Sequence, residues 1–293
     1  MADHLLINVF NVDAALAVGR AKGFFAAAAI EVSAQVTPNS TEQMRGLGQG
    51  AWPIVSTAFD NVLGWSGREG AEIVAMAQIA QGITLPVYAR PEIKTWEDLR
   101  GKPLAVDAVD TAYALVLRRI LLEHELVMER GDYSLIAKGT TGHRLDSMMS
   151  GETFAGVLNP PWDDKAEAAG MARFADHRDV LPDYPGAVYA VARPWAEQNG
   201  ALLVRFLRAW NQALLWCRDE RNRADAVKIV AAAENLDEKA AANRLRQLPR
   251  NGRLNLSGLQ SVLDLRVRFN LTPPMGQDLT KYVDEHWYLD ASN

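Results

Sequence analysis

Apolar positions along the chain follow two rhythms. Short, nearly continuous apolar runs alternate with stretches in which apolar residues recur every three or four positions. The first pattern is that of a buried strand, the second that of a helix with one buried face. Residues 5–10, 30–36, 53–58 and 71–80 read as strands. Between them, 14–22 reads as a helix with Asp13 as its N-cap and Gly23 as its stop, and 42–47 as a helix capped by Ser40 or Thr41 and stopped at Gly48 and Gly50. The chain is extended again around 85–90, and a second set of such units follows. Strands are predicted over 104–109, 134–138, 155–158 and 187–192, with a capped helical turn at 95–98 and helices over 111–125 and 142–149. From residue 194 the pattern is almost purely helical, over 194–218, 223–233, 237–248, 256–269 and 276–287, with Gly252, Pro273 and Pro274 as punctuation.

Strands alternating with helices predict an α/β fold whose sheets are mainly parallel, with helices on their faces. The two sets of units imply two lobes joined by extended crossings near 85–90 and 185–192. Lobe one is discontinuous, 1–88 plus 188–293 with the C-terminal helices, and lobe two is 89–187. Hinged lobes of this kind close around ligands. In open α/β sheets a ligand sits beyond the carboxyl ends of the strands, against helix N-termini.

Composition narrows the function. The 293 residues carry a net charge of −5, which leaves no electrostatic footprint for nucleic acid. The single cysteine, Cys217, cannot form an intramolecular disulfide and lies in an apolar run. No apolar run is long enough to span a bilayer, and residues 1–4 lead straight into a strand without the form of a signal peptide. The expected location is therefore cytoplasmic if the chain is native from Met1, and periplasmic or at the cell surface if a leader was removed. No metal-ligand or phosphate-cradle spacing is present, so neither metal nor cofactor is expected.

Three stretches then stand out. Ala17-Val18-Gly19-Arg20-Ala21-Lys22-Gly23-Phe24-Phe25 leads to Ile30-Glu31-Val32; Thr95-Trp96-Glu97-Asp98-Leu99-Arg100-Gly101-Lys102-Pro103-Leu104-Ala105-Val106 opens the second lobe; and Val157-Leu158-Asn159-Pro160-Pro161-Trp162 ends a strand. In this order and spacing they resemble the nitrate/sulfonate/taurine and thiamine-pyrimidine-precursor group of solute-binding proteins, receptors of ABC importers. The resemblance implies the two-lobed, type II periplasmic-binding-protein fold, a monomer, a small-molecule ligand and an ABC permease as partner.

The strand-to-helix turns supply the candidate ligand contacts. Lobe one offers Asn11 and Asp13, then Asn39, Ser40 and Thr41, then Ser56, Thr57, Phe59, Asp60 and Asn61. Lobe two offers Asp107, Asp110, Thr111 and Tyr113, then Thr140, Thr141 and His143, then Asn159, Trp162 and Asp163, with Tyr184 before the return crossing. Hydroxyls and helix N-termini suit an anion. Five aspartates, with no cation in those turns except near Arg144, instead favour an amine-bearing, heterocyclic ligand stacked on Trp162, Phe59 or Tyr113. Asp13 and Asp110 read equally well as caps of their own helices.

A catalytic alternative stays open, because the same fold resembles that of a pyrimidine synthase, aromatic decarboxylases and a desulfinase. It would act on a small aromatic or heterocyclic substrate. His143, the one histidine in a predicted turn, is the candidate base, with Asp107 or Asp110 beside it.

Overall fold

The computed structural model describes residues 2–160 and 162–293; Met1, and Pro161 of the 159–161 turn named above, lie outside the described residues. The chain divides into two compact units. Unit 1 comprises Met1–Ile83, Pro185–Gln260 and Thr272–Asn293, and unit 2 comprises Thr84–Tyr184 and Ser261–Leu271.

Unit 1 begins with strand β1 (Asp3–Val9), helices α1 (Ala14–Ala21) and α2 (Phe24–Ala27), and strand β2 (Ile30–Val36). Helix α3 (Ser40–Gly48), strand β3 (Ile54–Thr57), helix α4 (Phe59–Trp65) and strand β4 (Ile73–Gln78) follow. Unit 2 runs through β5 (Pro86–Ala89), β6 (Lys102–Val106), α5 (Ala112–Glu123), β7 (Tyr133–Ala137), α6 (Thr141–Met149), β8 (Ala155–Val157), α7 (Trp162–Ala168) and β9 (Ala172–Asp176). Strand β10 (Val188–Ala192) and helices α8 (Arg193–Gln198), α9 (Gly200–Arg218), α10 (Arg223–Glu234), α11 (Glu238–Arg246), α12 (Leu256–Arg268) and α13 (His286–Ser292) complete the chain.

Each unit holds one five-stranded sheet, ordered β2-β1-β3-β10-β4 in unit 1 and β7-β6-β8-β5-β9 in unit 2. The first three strands of each are parallel, and the fourth is antiparallel to both its neighbours. The two sheets therefore share one topology rank by rank: β1 corresponds to β6, β2 to β7, β3 to β8 and β10 to β5. The register of β1 on β2 runs from Asp3 opposite Ile30 to Val9 opposite Val36. Both strands thus end at the same edge, with their following turns side by side.

Burial on both faces explains why the central strands lack an alternating pattern: every residue of β4 is buried, as are four of the five in β10. Unit 1's core joins these strands to α1, α9, α10, α11 and α13 through Leu16, Phe206, Trp210, Val230, Leu245 and Trp287. The Phe25 and Phe206 rings stack at 5.5 Å, and Tyr189 meets Trp210 edge-on at 5.8 Å. In unit 2, Tyr88, Leu145, Met148, Leu158, Ala166 and Met171 form a second cluster, against which Trp162 packs.

The structure corrects several expected elements. Asn39, rather than Ser40 or Thr41, caps α3, its side chain accepting the Glu42 N–H at 2.9 Å. The helix expected over 194–218 breaks at Asn199 into α8 and α9. The helix expected over 276–287 shrinks to a 3₁₀ turn, Leu279–Lys281, with α13 starting only at His286. Strand β9 carries no strand pattern because it pairs on one side only, with β5, and is partly exposed. Among the described residues no helix is long and apolar enough to cross a membrane.

Candidate functional site

Parallel strands that end together align their carboxyl-end turns, and each following helix points its first N–H groups at that edge. Unit 1 has three such turns, β1–α1, β2–α3 and β3–α4. Unit 2 has three at the same ranks, β6–α5, β7–α6 and β8–α7. All the candidate contacts apart from Tyr184, and from Ser56 and Thr57 at the end of β3, lie in these turns or in the first helical turn after them.

In unit 2 the arrangement is organised by Arg144, which is 2% exposed. Its Nε donates to the Val157 carbonyl at 3.0 Å, Nη1 to the Gly139 carbonyl at 2.7 Å, and Nη2 to Thr141 Oγ1 at 2.8 Å. Its guanidinium carbon stands 5.6 Å from the centre of the Tyr113 ring. One side chain thus ties the end of β8 to the β7–α6 turn and faces α5. A buried cation is tolerated only if its N–H groups are satisfied, and neutral oxygens do this here. No carboxylate lies within ion-pair distance of Arg144 among the described residues. Burial pulls its pKa below the usual arginine value, with the Asp107 charge acting in the opposite sense.

Around it, Thr111 caps α5 and donates to Asp107 Oδ1 at 2.5 Å. Burial raises the Asp107 pKa, against the pull of the Thr111 bond and the Arg144 charge. Asn159 donates through Nδ2 to the Tyr113 hydroxyl at 3.1 Å and receives Thr141 Oγ1 at 3.4 Å. Asp107, Thr111, Tyr113, Thr141 and Asn159 are thereby brought together around Arg144. Asp110 is exposed beside the likewise exposed Val109, and Thr111 rather than Asp110 caps α5, so of the two readings of Asp110 the capping one does not hold.

Thr140 caps α6, accepting the His143 N–H at 3.3 Å, while the His143 side chain is exposed. No ion pair joins His143 to Asp107 or Asp110 among the described residues, so the base–carboxylate couple of the catalytic alternative is not formed. Trp162 is half-buried. Its six-membered ring lies so close to Gly142 that a Cβ there would meet it at 3.0 Å, and the Lys165 ammonium sits 4.0 Å from its ring centre. Asp163, at the start of α7, has its pKa raised by burial.

In unit 1, Asp13 accepts three donors: the Leu16 N–H at 2.9 Å, Trp210 Nε1 at 3.0 Å and the Tyr189 hydroxyl. It is both helix cap and buried acid, and burial raises its pKa despite these bonds. Asn11 is exposed beside it, next to Phe10, whose ring is 40% exposed at the end of β1. Asn39 and Thr41 are exposed, with Ser40 half-buried between them. Ser56, Thr57, Phe59 and Asp60 are all buried, and Thr57 Oγ1 accepts from Asn61 Nδ2 at 2.9 Å.

The residue that sequence reasoning missed is Gln43. It stands four positions after the cap of α3, as Arg144 stands four positions after the cap of α6. Fully buried, its Nε2 reaches the Asn8 carbonyl, Asn8 Oδ1 and the Ser56 carbonyl, each at 3.2 Å. Each unit therefore uses a polar peg from the second-ranked turn's helix to hold the end of its third-ranked strand. The available signal was the shared cap-plus-four spacing.

Two hollows of about 380 Å³ lie elsewhere, one on unit 1 around Asn211, Leu215 and Tyr288, the other along β9. Neither includes a residue of the strand-to-helix turns. No group of three or more His, Cys, Asp or Glu positioned for a metal exists among the described residues.

Residues 11–224 match the model of the family described as NMT1/THI5 like. No curated protein matches the chain in sequence. Among solved structures, the chain is similar to the alkanesulfonate-binding protein SsuA from Xanthomonas axonopodis pv. citri bound to MOPS, at 17% identity and TM-score 0.74, covering 97% of this chain and 100% of that one. It is also similar to the periplasmic nitrate-binding protein NrtA from Synechocystis PCC 6803, at 13% identity and TM-score 0.77, covering 99% and 88%. A third similar structure is the desulfurization enzyme DszB, at 18% identity and TM-score 0.72, covering 99% of each chain. At these identities the likenesses establish the fold, which is of the periplasmic-binding-protein type.

Proposed function

The chain belongs to the NMT1/THI5-like family, and from that premise we propose that it is a solute-binding protein of an ABC-type importer, with a small amine-bearing heterocycle as its ligand. The contacts come from the strand-to-helix turns of each unit. In unit 1 they are Asn11, Asp13, Asn39, Ser40, Thr41, Ser56, Thr57, Phe59 and Asp60. In unit 2 they are Asp107, Asp110, Thr111, Tyr113, Thr140, His143, Asn159 and Trp162. The protein works as a monomer outside the cytoplasm and delivers its ligand to a permease.

The observation that carries this reading is the placement of Asp13 and Asp107. They follow corresponding strands of the two sheets, β1 and β6, and burial raises the pKa of both. A desolvated carboxylate gains from any N–H donor brought to it, and an amine supplies one. Tyr113 and the half-buried Trp162 add aromatic surface suited to a flat ring.

The catalytic alternative has less support. Thiolate chemistry would need an ionisable cysteine, but Cys217 is buried in α9 and its pKa is pushed up to about 12. Among the described residues no carboxylate is paired with His143 to orient it.

The test is to denature the purified protein, identify any released small molecule by mass spectrometry, and titrate it back by calorimetry. Stoichiometric binding with the molecule recovered unchanged is expected. Recovery of a converted product would overturn the binding reading in favour of catalysis.

A further inference from the structure

A lysine on a helix reaches the side chains three and four residues away, because these lie beside it on the helix surface. For Lys165 in α7 none of those positions is acidic, and Trp162 stands three residues before it. The helix does carry three carboxylates, Asp163, Asp164 and Glu167, but at one or two positions from Lys165, where side chains do not face each other. Two of them are engaged elsewhere: Asp163 accepts the Asp164 N–H at 3.0 Å, and Glu167 accepts the Tyr88 hydroxyl at 2.7 Å. The Lys165 ammonium accordingly lies 4.0 Å from the centre of the Trp162 ring, and no ion pair or hydrogen bond joins it to a carboxylate among the described residues.

The indole is held in place by other contacts. Trp162 packs against the cluster of Tyr88, Leu145, Met148, Leu158, Ala166 and Met171, and its six-membered ring lies against Gly142 in α6. Lys165 is exposed while Trp162 is half-buried, so the ammonium caps a ring that is otherwise fixed to unit 2. A cation at an exposed ring is held by the ring quadrupole alone, which favours the contact by a factor of about two to five. A latch of this strength is closed in most molecules and opens at little cost.

We infer that Lys165 is a tethered competitor for the ligand: its ammonium covers the Trp162 ring in the free chain, and an amine-bearing heterocycle reaches that ring only by displacing it. The displacement rests on the binding function proposed above; the latch between Lys165 and Trp162 does not. The contact sets a threshold, since a ring that stacks on Trp162 must first offset the cation it removes. Substituting Lys165 with methionine keeps the apolar stem and removes the charge, so K165M lowers that threshold.

Nuclear magnetic resonance of the chain labelled with ¹³C at the lysine ε-carbons tests the latch without any ligand. A methylene above an indole is shifted upfield by the ring current, and the resonance missing from K165M is that of Lys165. An upfield Lys165 methylene in the free chain is expected; an ordinary lysine position would overturn the latch. The probe for displacement is 4-aminopyridine, a flat, amine-bearing heterocycle that is protonated at pH 7. Its addition is expected to return the Lys165 methylene to the ordinary position, with the same midpoint as binding measured by calorimetry. K165M is expected to bind 4-aminopyridine about two- to fivefold more tightly than the native chain. Binding with the Lys165 methylene still upfield, or weaker binding by K165M, would overturn the competitor role, the second outcome making Lys165 a ligand contact instead. Failure of 4-aminopyridine to bind either chain would count against the amine-heterocycle reading and the displacement together, while the upfield methylene would leave the latch standing.

Discussion

Replacing Asp13 with alanine removes one side chain that serves three donors. The Leu16 N–H loses its helix cap, a change worth about 1 kcal/mol. Trp210 Nε1 and the Tyr189 hydroxyl lose their acceptor within the core, at roughly 1–3 kcal/mol for each buried polar group left unmade. Against this, the chain no longer carries a desolvated carboxylate, the burden that raises the Asp13 pKa. The net loss for D13A is therefore about 3 kcal/mol, and at about 2–4 °C per kcal/mol for a unit of this size, Tm falls by about 6–12 °C. D13N keeps one oxygen for Leu16 and Trp210 and is expected to lose about 1 kcal/mol or less. The pH dependence provides a second check. Because the folded-state pKa lies above the unfolded value of 3.8, the folded chain holds this proton more tightly. The contribution from Asp13 is then complete below 3.8 and lost as pH rises through the folded value. The stability difference between the native chain and D13N should shrink across that window as pH rises, measured by calorimetric Tm at a series of pH values. A D13A protein within 2 °C of the native Tm, or a difference flat with pH, would refute the assignment of Asp13 as a buried, triply bonded acid.

Two further outcomes follow from burial elsewhere. Cys217, with its pKa raised to about 12 by burial, should resist a disulfide thiol reagent at pH 8 in the folded state and react at once in urea; ready labelling of the native chain would contradict its placement. His177 is 2% exposed, receives the Leu85 N–H on Nδ1 at 3.3 Å, and has its pKa lowered by burial, with Asp176 and Asp179 opposing and Arg178 reinforcing. Its contribution is complete above the unfolded value of 6.5 and lost as pH falls through the folded value, so unit 2 should weaken in mild acid. H177N, whose amide oxygen can still accept from Leu85, should flatten that acid limb of the Tm profile; an unaltered limb would assign it to another group.

The β–α alternation was legible because buried parallel strands leave unbroken apolar runs and the helices between them carry caps and glycine stops. Asp13 was readable as a cap for the same reason. Element position within a sheet was not readable, since a run such as that of β10 is equally apolar whether its strand lies parallel or antiparallel to its neighbours. An edge strand such as β9 was invisible because one-sided pairing lets Arg173 and Asp176 sit where a central strand would need apolar residues. The cap of α3 was misplaced because Asn39, Ser40 and Thr41 all suit the position. Only the extended backbone at Asn39, φ −163° and ψ 166°, decides among them.

The site shows a deeper limit. A glutamine or an arginine in the first turns of an amphipathic helix reads as solvated, because the long polar side chain ordinarily reaches water. Gln43 and Arg144 reach inward instead, donating to the Ser56 and Val157 carbonyls, because a residue four positions after the helix cap is placed to supply a donor there. The strands dictate that some donor must stand there but not which one. A neutral amide meets the need in unit 1; in unit 2 a guanidinium meets it and extends two more bonds, to Gly139 and Thr141. The shared topology therefore fixes the peg as a structural requirement. Its charge, free of that requirement, is where the two units differ.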